Sequence, residues 1–273
     1  MINRLLHLLI LLFVGTAIAT AQQHDAEILQ LGGDNNFAEI GQMGELNSAF
    51  ISQEASNDIA TIEQAGENNQ ATVKQGFHPE ANGFRTDAEI IQNGNHNEAT
   101  ITQTGRHDVS GFIHQTGNNN VALVEQDKAD DFNNARVEVI QTGGEQNLVQ
   151  QQQEDRDGVF GQVHQDGSFN FVGQTQTIGG GGNGQFSHVV SNQEGDNNHA
   201  EVSQHGELGS GETHQYGNYN QAFLTQEGDE NTGYIYQHGM HNMAAVSQIG
   251  NNNSGSVTQN GDNNTATILQ EVN

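Results

Sequence analysis

Side-chain amides are the most regularly spaced chemical groups in this 273-residue chain. Glutamine recurs at Gln193, Gln204, Gln215, Gln226, Gln237, Gln248, Gln259 and Gln270, seven successive intervals of 11. With each Gln taken as position 0, position 5 carries Asn198, Gly209, Asn220, Asn231, Asn242, Asn253 and Asn264. A carboxamide has two N–H donors and an oxygen with two lone pairs, so like amides stacked one above another bond in a continuous ladder. The chemistry this spacing serves is hydrogen bonding between copies of one unit.

Other positions repeat with the amides. Position 2 is Gly195, Gly206, Gly217, Gly228, Gly239, Gly250 and Gly261. Position 7 is always Ala or Gly, and position 9 is Val202, Thr213, Leu224, Ile235, Val246, Val257 and Ile268. A longer period of 22 underlies this one, because Ala200, Ala222, Ala244 and Ala266 alternate with Gly211, Gly233 and Gly255. The N-terminal half carries the same unit at Gln42, Gln53, Gln64 and Gln75, then at Gln92–Gln103 and Gln115–Gln126. Its amides include Asn47, Asn69, Asn97 and Asn120, and its turn glycines are Gly44, Gly66, Gly94 and Gly117. The array is most regular over 42–75 and 193–270, with insertions near 76–81, 127–130 and Gly179–Gly182. Residues 127–192 read as irregular, with Gln150–Gln153 and the Gln174/Gln176 pair blurring the register.

The elements that must hold these amides follow from parity. In a strand, alternate residues share a face, which puts Asn, Ala, the aliphatic and Gln together on one side. The other face is polar, as in Thr72/Lys74 and Glu201/Ser203, with aromatics at Phe50, Phe223, Tyr234 and Tyr236. Gly at position 2, often beside Asn or Asp, supplies the positive-φ residue of a sharp bend. An arm is then a strand of about 5–6 residues and a turn. Helix is opposed by the recurrent Gly and by the lack of a 3.6-residue apolar stripe. The fold class is all-β: a β-solenoid of about ten 22-residue strand-turn-strand coils, stacked about 4.8 Å apart into a rod of roughly 50 Å. Every inward Asn should lie over an inward Asn and every Gln over a Gln.

Composition agrees. Only 33% of residues are apolar, against about 45–50% in ordinary globular chains. Asn and Gln supply 65 residues, and there is no Cys. Seven basic residues face 34 acidic ones, a formal charge of −27. Binding to nucleic acid or to an anionic membrane surface needs the Lys and Arg that are missing here.

Residues 1–21 read as a secretory signal peptide. Arg4 gives a positive start, Leu5 to Val14 is apolar apart from His7, and small residues form sites at Ala17–Ala19 and Ala19–Ala21. Cleavage leaves Gln22 or Thr20 as the new N-terminus. The mature chain, 22–273, is a single repeat array with no membrane insertion, no cofactor, and about −28 of charge once Arg4 is gone. The array runs to within a few residues of both ends without a cap-like segment, so its open sheet edges should add further copies head to tail. Like charge on the copies should slow that addition.

The repeated unit resembles the curlin repeat, Ser-x5-Gln-x-Gly-x-x-Asn-x-Ala-x3-Gln. The motif stands at Gln193, Gly195, Asn198, Ala200 and Gln204, and at Gln237, Gly239, Asn242, Ala244 and Gln248. It recurs at Gln42, Gly44, Asn47, Ala49 and Gln53, and Ser187 fills the leading Ser place before Gln193. The resemblance covers nearly all of 28–270. It implies curli-type amyloid fibres at the bacterial surface, export through a dedicated outer-membrane secretion pore, nucleation by a partner subunit, and a part in adhesion and biofilm matrix. The array is about twice the length of the familiar five-repeat subunits, and no separate Gln/Gly-rich secretion segment follows the leader.

Other chemistries have weaker support. His238 and His241 flank Gly239 in a turn, and His205 shares the first turn position with His238, a pattern of solvated surface residues rather than a catalytic set. Gly195-Asp196-Asn197-Asn198 and Gly261-Asp262-Asn263-Asn264 offer oxygen ligands to Ca2+, yet turn geometry explains the same residues. An outward Thr pair of the kind that binds ice stands at Thr100/Thr102, and its neighbours do not repeat it. The alternative readings are a monomeric exported solenoid that binds a surface or polysaccharide, or a minor nucleator subunit of the same fibre.

Overall fold

A computed structural model of the protein describes residues 18–20, 23–31, 33–76, 85–104, 109–128, 135–155, 158–177 and 187–272. Every regular element among them is a strand. In chain order these are β1 (Ile18–Thr20), β2 (Asp25–Gln30), β3 (Phe37–Glu45), β4 (Ser48–Gln53), β5 (Ile59–Glu67), β6 (Gln70–Gly76) and β7 (Thr86–Asn93). They continue with β8 (Glu98–Thr104), β9 (Val109–Thr116), β10 (Val121–Lys128), β11 (Ala135–Thr142), β12 (Leu148–Asp155), β13 (Val159–Asp166) and β14 (Phe171–Thr177). The last are β15 (Ser187–Glu194), β16 (His199–His205), β17 (Ser210–Tyr216), β18 (Gln221–Glu227), β19 (Thr232–His238), β20 (Met243–Ile249), β21 (Ser254–Asn260) and β22 (Thr265–Glu271).

Odd-numbered strands form one 11-stranded sheet and even-numbered strands a second, each stacked in chain order. All pairing is parallel and in register: β16 meets β18 with Ala200 opposite Ala222 and Gln204 opposite Gln226. The chain is therefore a two-sided β-solenoid. Most strands run to seven or eight residues rather than five or six, because extended backbone persists one residue past the repeat Gln.

The sheets face one another across a thin apolar core. Ile51, Ile62, Ile90, Ile101, Val124 and Ile235 are fully buried in it. The 22-residue alternation now has a cause. The Ala series lies in the even sheet and the Gly series in the odd sheet, where a Cβ at Gly211 or Gly233 would press on Leu224 from the facing strand β18. Small residues in one sheet make room for aliphatic ones in the other, which keeps the interior close-packed.

The stretch read as irregular does not break the array. Strands β11 to β15 continue both sheets in register through 135–194. What varies is one edge. From an odd-sheet Gln to the next even-sheet Gln the spacing is 11 everywhere except Gln141–Gln153, where it is 12. In the other direction it reaches 15 at Gln126–Gln141 and 17 at Gln75–Gln92 and Gln176–Gln193. All but that one insertion thus fall in even-to-odd connections, and the described strands stay in register. Residues 77–84, 129–134 and 178–186, which hold most of them, lie outside the described residues. So do residues 1–17, most of the stretch read as a leader, although Ile18–Thr20 pairs with Gly41–Met43 of β3.

Candidate functional site

The repeat glutamines form two ladders, one per sheet. In the odd sheet the line runs through Gln42, Gln64, Gln92, Gln115, Gln141, Gln165, Gln193, Gln215, Gln237 and Gln259, the Nε2–H of one donating to Oε1 of the next at 2.8–2.9 Å until Gln259, which accepts. In the even sheet the line runs through Gln30, Gln53, Gln75, Gln103, Gln126, Gln153, Gln176, Gln204, Gln226, Gln248 and Gln270 at 2.7–3.3 Å. Neither line is interrupted. The second N–H of most of these amides crosses to the facing sheet, as Gln215 does to the His199 carbonyl at 3.0 Å and Gln237 to the Gln221 carbonyl at 2.9 Å. One side chain therefore joins two coils of its own sheet and seals it to the other.

The sequence hides four members of these lines. Gln141, Gln165, Gln153 and Gln176 lie in the irregular stretch, and only strand pairing assigns them; Gln153 and Gln176 are the ladder residues of their crowded glutamine runs. Gln151 and Gln174 instead take the aliphatic position and are buried.

Asparagine behaves differently at the two edges. Before the even strands Asn47, Asn69, Asn97, Asn120, Asn147, Asn170, Asn198, Asn220, Asn242 and Asn264 stack without a gap. Each Oδ1 accepts the backbone N–H of the next Asn at 2.9–3.1 Å. Most Nδ2 groups also donate to the turn-glycine carbonyl one coil on, as Asn69 does to Gly94 and Asn198 to Gly217, both at 2.7 Å. Asn147 and Asn170 are members that motif reading missed. Asn120 Nδ2 has no partner among the described residues. The turn above it carries an extra residue, Gly143 beside Gly144, both at positive φ.

Before the odd strands the expectation of Asn over Asn fails. The column reads Asn36, Asp58, Thr86, Val109, Ala135, Val159, Ser187, Gly209, Asn231 and Asn253. Asn clamps a short turn to its neighbour, and this is the edge that carries the long connections. Where the turns are tight again, Asn231 donates to the Gly250 carbonyl at 2.8 Å and accepts from the Asn253 N–H at 2.9 Å.

Turn geometry is uniform where it is tight. Gly44, Gly66, Gly94, Gly117, Gly195, Gly206, Gly217, Gly228, Gly239, Gly250 and Gly261 all have φ between +98° and +131°. Position 4 also lies in the left-handed region whatever residue fills it: Asn197, Leu208, Tyr219, Glu230 and His241 have φ of 54–58°. Position 3 forms a further ladder. Asp196 Oδ1 accepts the Ser168 N–H at 2.8 Å, Asp229 the Glu207 N–H at 2.9 Å, and Asp262 the Met240 N–H at 2.8 Å. Two of the carboxylates considered for Ca2+, Asp196 and Asp262, thus cap the turn of the preceding coil. Among the described residues no three His, Asp or Glu side chains converge as metal ligands.

On the outer faces, rings line up along the stack. His214 sits 5.5 Å from Tyr234 and Tyr216 5.6 Å from Tyr236 on the odd sheet, and His199 lies between Phe171 and Phe223 on the even sheet. His241 stacks on Tyr219 at 5.0 Å, while His205 and His238 are exposed strand ends. One buried acid stands apart. Asp58 is 1% exposed, accepts the Thr86 hydroxyl at 2.6 Å, and leaves Oδ2 unpartnered among the described residues. Burial pushes its carboxyl above the usual range, against the Thr86 hydrogen bond.

Parallel in-register sheets joined by identical side-chain amides define the class: a structural β-solenoid with a cross-β core. Four regions, 33–66, 82–106, 217–250 and 250–272, match the curlin associated repeat. These regions carry curlin-type repeats, which supports a place in the curlin family. The same coil geometry continues in strands β9 to β17, between the matched regions. No match was found among curated proteins.

Proposed function

We propose that this protein is an exported structural subunit that assembles, copy upon copy, into extracellular curli-like amyloid fibres serving adhesion and biofilm matrix. The observation that carries the reading is the unbroken pair of Gln ladders, because a stack that repeats the same bond at every coil has the pattern of a cross-β filament. The partners are other copies of the chain, with a nucleating subunit and an outer-membrane secretion pore by family likeness. Curlin-family proteins are extracellular fibre components, which agrees with the leader read at 1–21.

Fibre diffraction on residues 22–273 after quiescent incubation tests the proposal, with thioflavin fluorescence followed in parallel. Filaments with a meridional reflection at about 4.7–4.8 Å are the expected result. A β-rich, thioflavin-silent monomer would overturn it. The aligned outward rings would then favour a solenoid that binds polysaccharide by aromatic stacking.

A further inference from the structure

The aliphatic row at position 9 changes character in the middle of the rod. In the even sheet Val124 is followed by Gln151 and Gln174 before Val202 resumes the row; in the odd sheet Ser191 and Thr213 stand between Val163 and Ile235. All four polar residues are at most 2% exposed. In three of these strands the small residue at position 7 has become Val149, Val172 or Val189, so apolar bulk and polar atoms have exchanged places.

The polar atoms are only partly satisfied. Gln174 Nε2 donates to Ser191 Oγ at 2.9 Å and to the Gln162 carbonyl at 3.1 Å, and the Thr213 hydroxyl donates to Ser191 Oγ at 3.0 Å. Gln151 lies directly opposite Gln174 in the adjacent strand, yet the two make no ladder bond. Gln151 Nε2, Gln151 Oε1 and Gln174 Oε1 have no partner among the described residues. Opposite them Gly161 has no side chain, and a Cβ there would overlap Gln151 Nε2. An unpaired buried amide is unfavourable, and a water molecule with two to four polar partners is the usual remedy.

We propose that Gln151, Gln174 and Ser191 form an internal hydration site between the sheets. Its occupant is water, because the donors and acceptors are uncharged and the neighbouring row positions are the core residues Val149, Val172 and Val163. The inference does not rest on assembly and holds for a monomeric solenoid as well.

Water-edited NMR on the full mature chain, with its glutamine side chains assigned, tests it in either state. Transfer from water to Nε2 of Gln151 and Gln174, and much weaker transfer to the ladder residues Gln153 and Gln176, is the expected result. Equal transfer to all four, or none to Gln151 and Gln174, would overturn the proposal. The double variant Gln151→Val/Gln174→Val should lose the water contact and unfold in guanidinium about tenfold more slowly; faster unfolding of a folded variant would count against the site. The wild-type spectrum decides the question even if that variant does not fold.

Discussion

Gln226 donates a side-chain N–H to Gln248 Oε1 at 2.9 Å, one coil along the even sheet. Its other N–H reaches the Ser210 carbonyl of the odd sheet at 3.1 Å, and its oxygen accepts from Gln204 at 3.2 Å. Gln226→Leu keeps the bulk but strands three buried polar groups at once. It is expected to lower stability by about 2–4 kcal/mol. Thr225→Ala, on the outer face of the same strand, should stay within about 0.5 kcal/mol. Guanidinium midpoints of the two variants check this, and equal midpoints would mean that the ladder adds nothing.

Gly217 has φ +109°, and a Cβ there would overlap the carbonyl oxygen of Gly239 in the next coil. Backbone cannot move aside as a side-chain end can. Gly217→Ala should therefore cost about 3 kcal/mol or more and broaden the melting transition. Gly41, with nothing within 4 Å of its Cβ position, should accept Ala with little change.

The period was legible because a hydrogen-bond ladder needs the same side chain at the same place in every coil, and Gln, Gly and Asn leave that record from 193 to 270. Hidden from the sequence was the division of labour between the edges. Motif reading merged the two Gln lines into one list and expected Asn on both sides, whereas the long insertions fall on the edge where Asn gives way to Val109, Ala135 and Val159. Gln151 could not be told from Gln153 by type, since only the strand pairing shows which of them faces a Val row and which a Gln row. The left-handed conformation at position 4 was only partly legible, because Asn197, Asn252 and Asn263 favour it whereas Leu208, Tyr219 and Glu230 do not.

Leu208, at φ 54°, holds a conformation that disfavours a bulky side chain, and that side chain is exposed. Leu208→Asn keeps the turn and relieves the strain. The substitution should raise stability by about 1 kcal/mol and shift the guanidinium midpoint upward. A lowered midpoint would show that Leu208 contributes through contacts instead.

Acidic side chains crowd the surface at Asp34, Glu63, Glu125, Asp196, Glu201, Asp229 and Asp262, all exposed. If repulsion between like chains sets the assembly lag, millimolar Ca2+ should shorten it at constant pH. Lag times that do not change with Ca2+ would remove charge from the kinetics.

Asp58 gives the fold a pH dependence of opposite sense to that of a salt-bridged carboxylate. Its Oδ1 takes the Thr86 hydroxyl, its Oδ2 is buried without a partner among the described residues, and Asp87 lies close enough to add repulsion. Desolvation is the larger effect and holds the carboxyl above its ordinary 3.8, so the folded chain binds this proton more tightly than the unfolded chain does. The stabilisation is then complete below the unfolded value and is lost as pH rises through the raised folded value. Asn stands at this place in other turns, where Asn36 Nδ2 donates to the Ala55 carbonyl at 2.6 Å. Asp58→Asn should match the wild type near pH 3 and exceed it by about 1–2 kcal/mol at pH 7. Denaturant titrations across that range read the difference directly, and parallel pH profiles for the two proteins would show that Asp58 is not the titrating group.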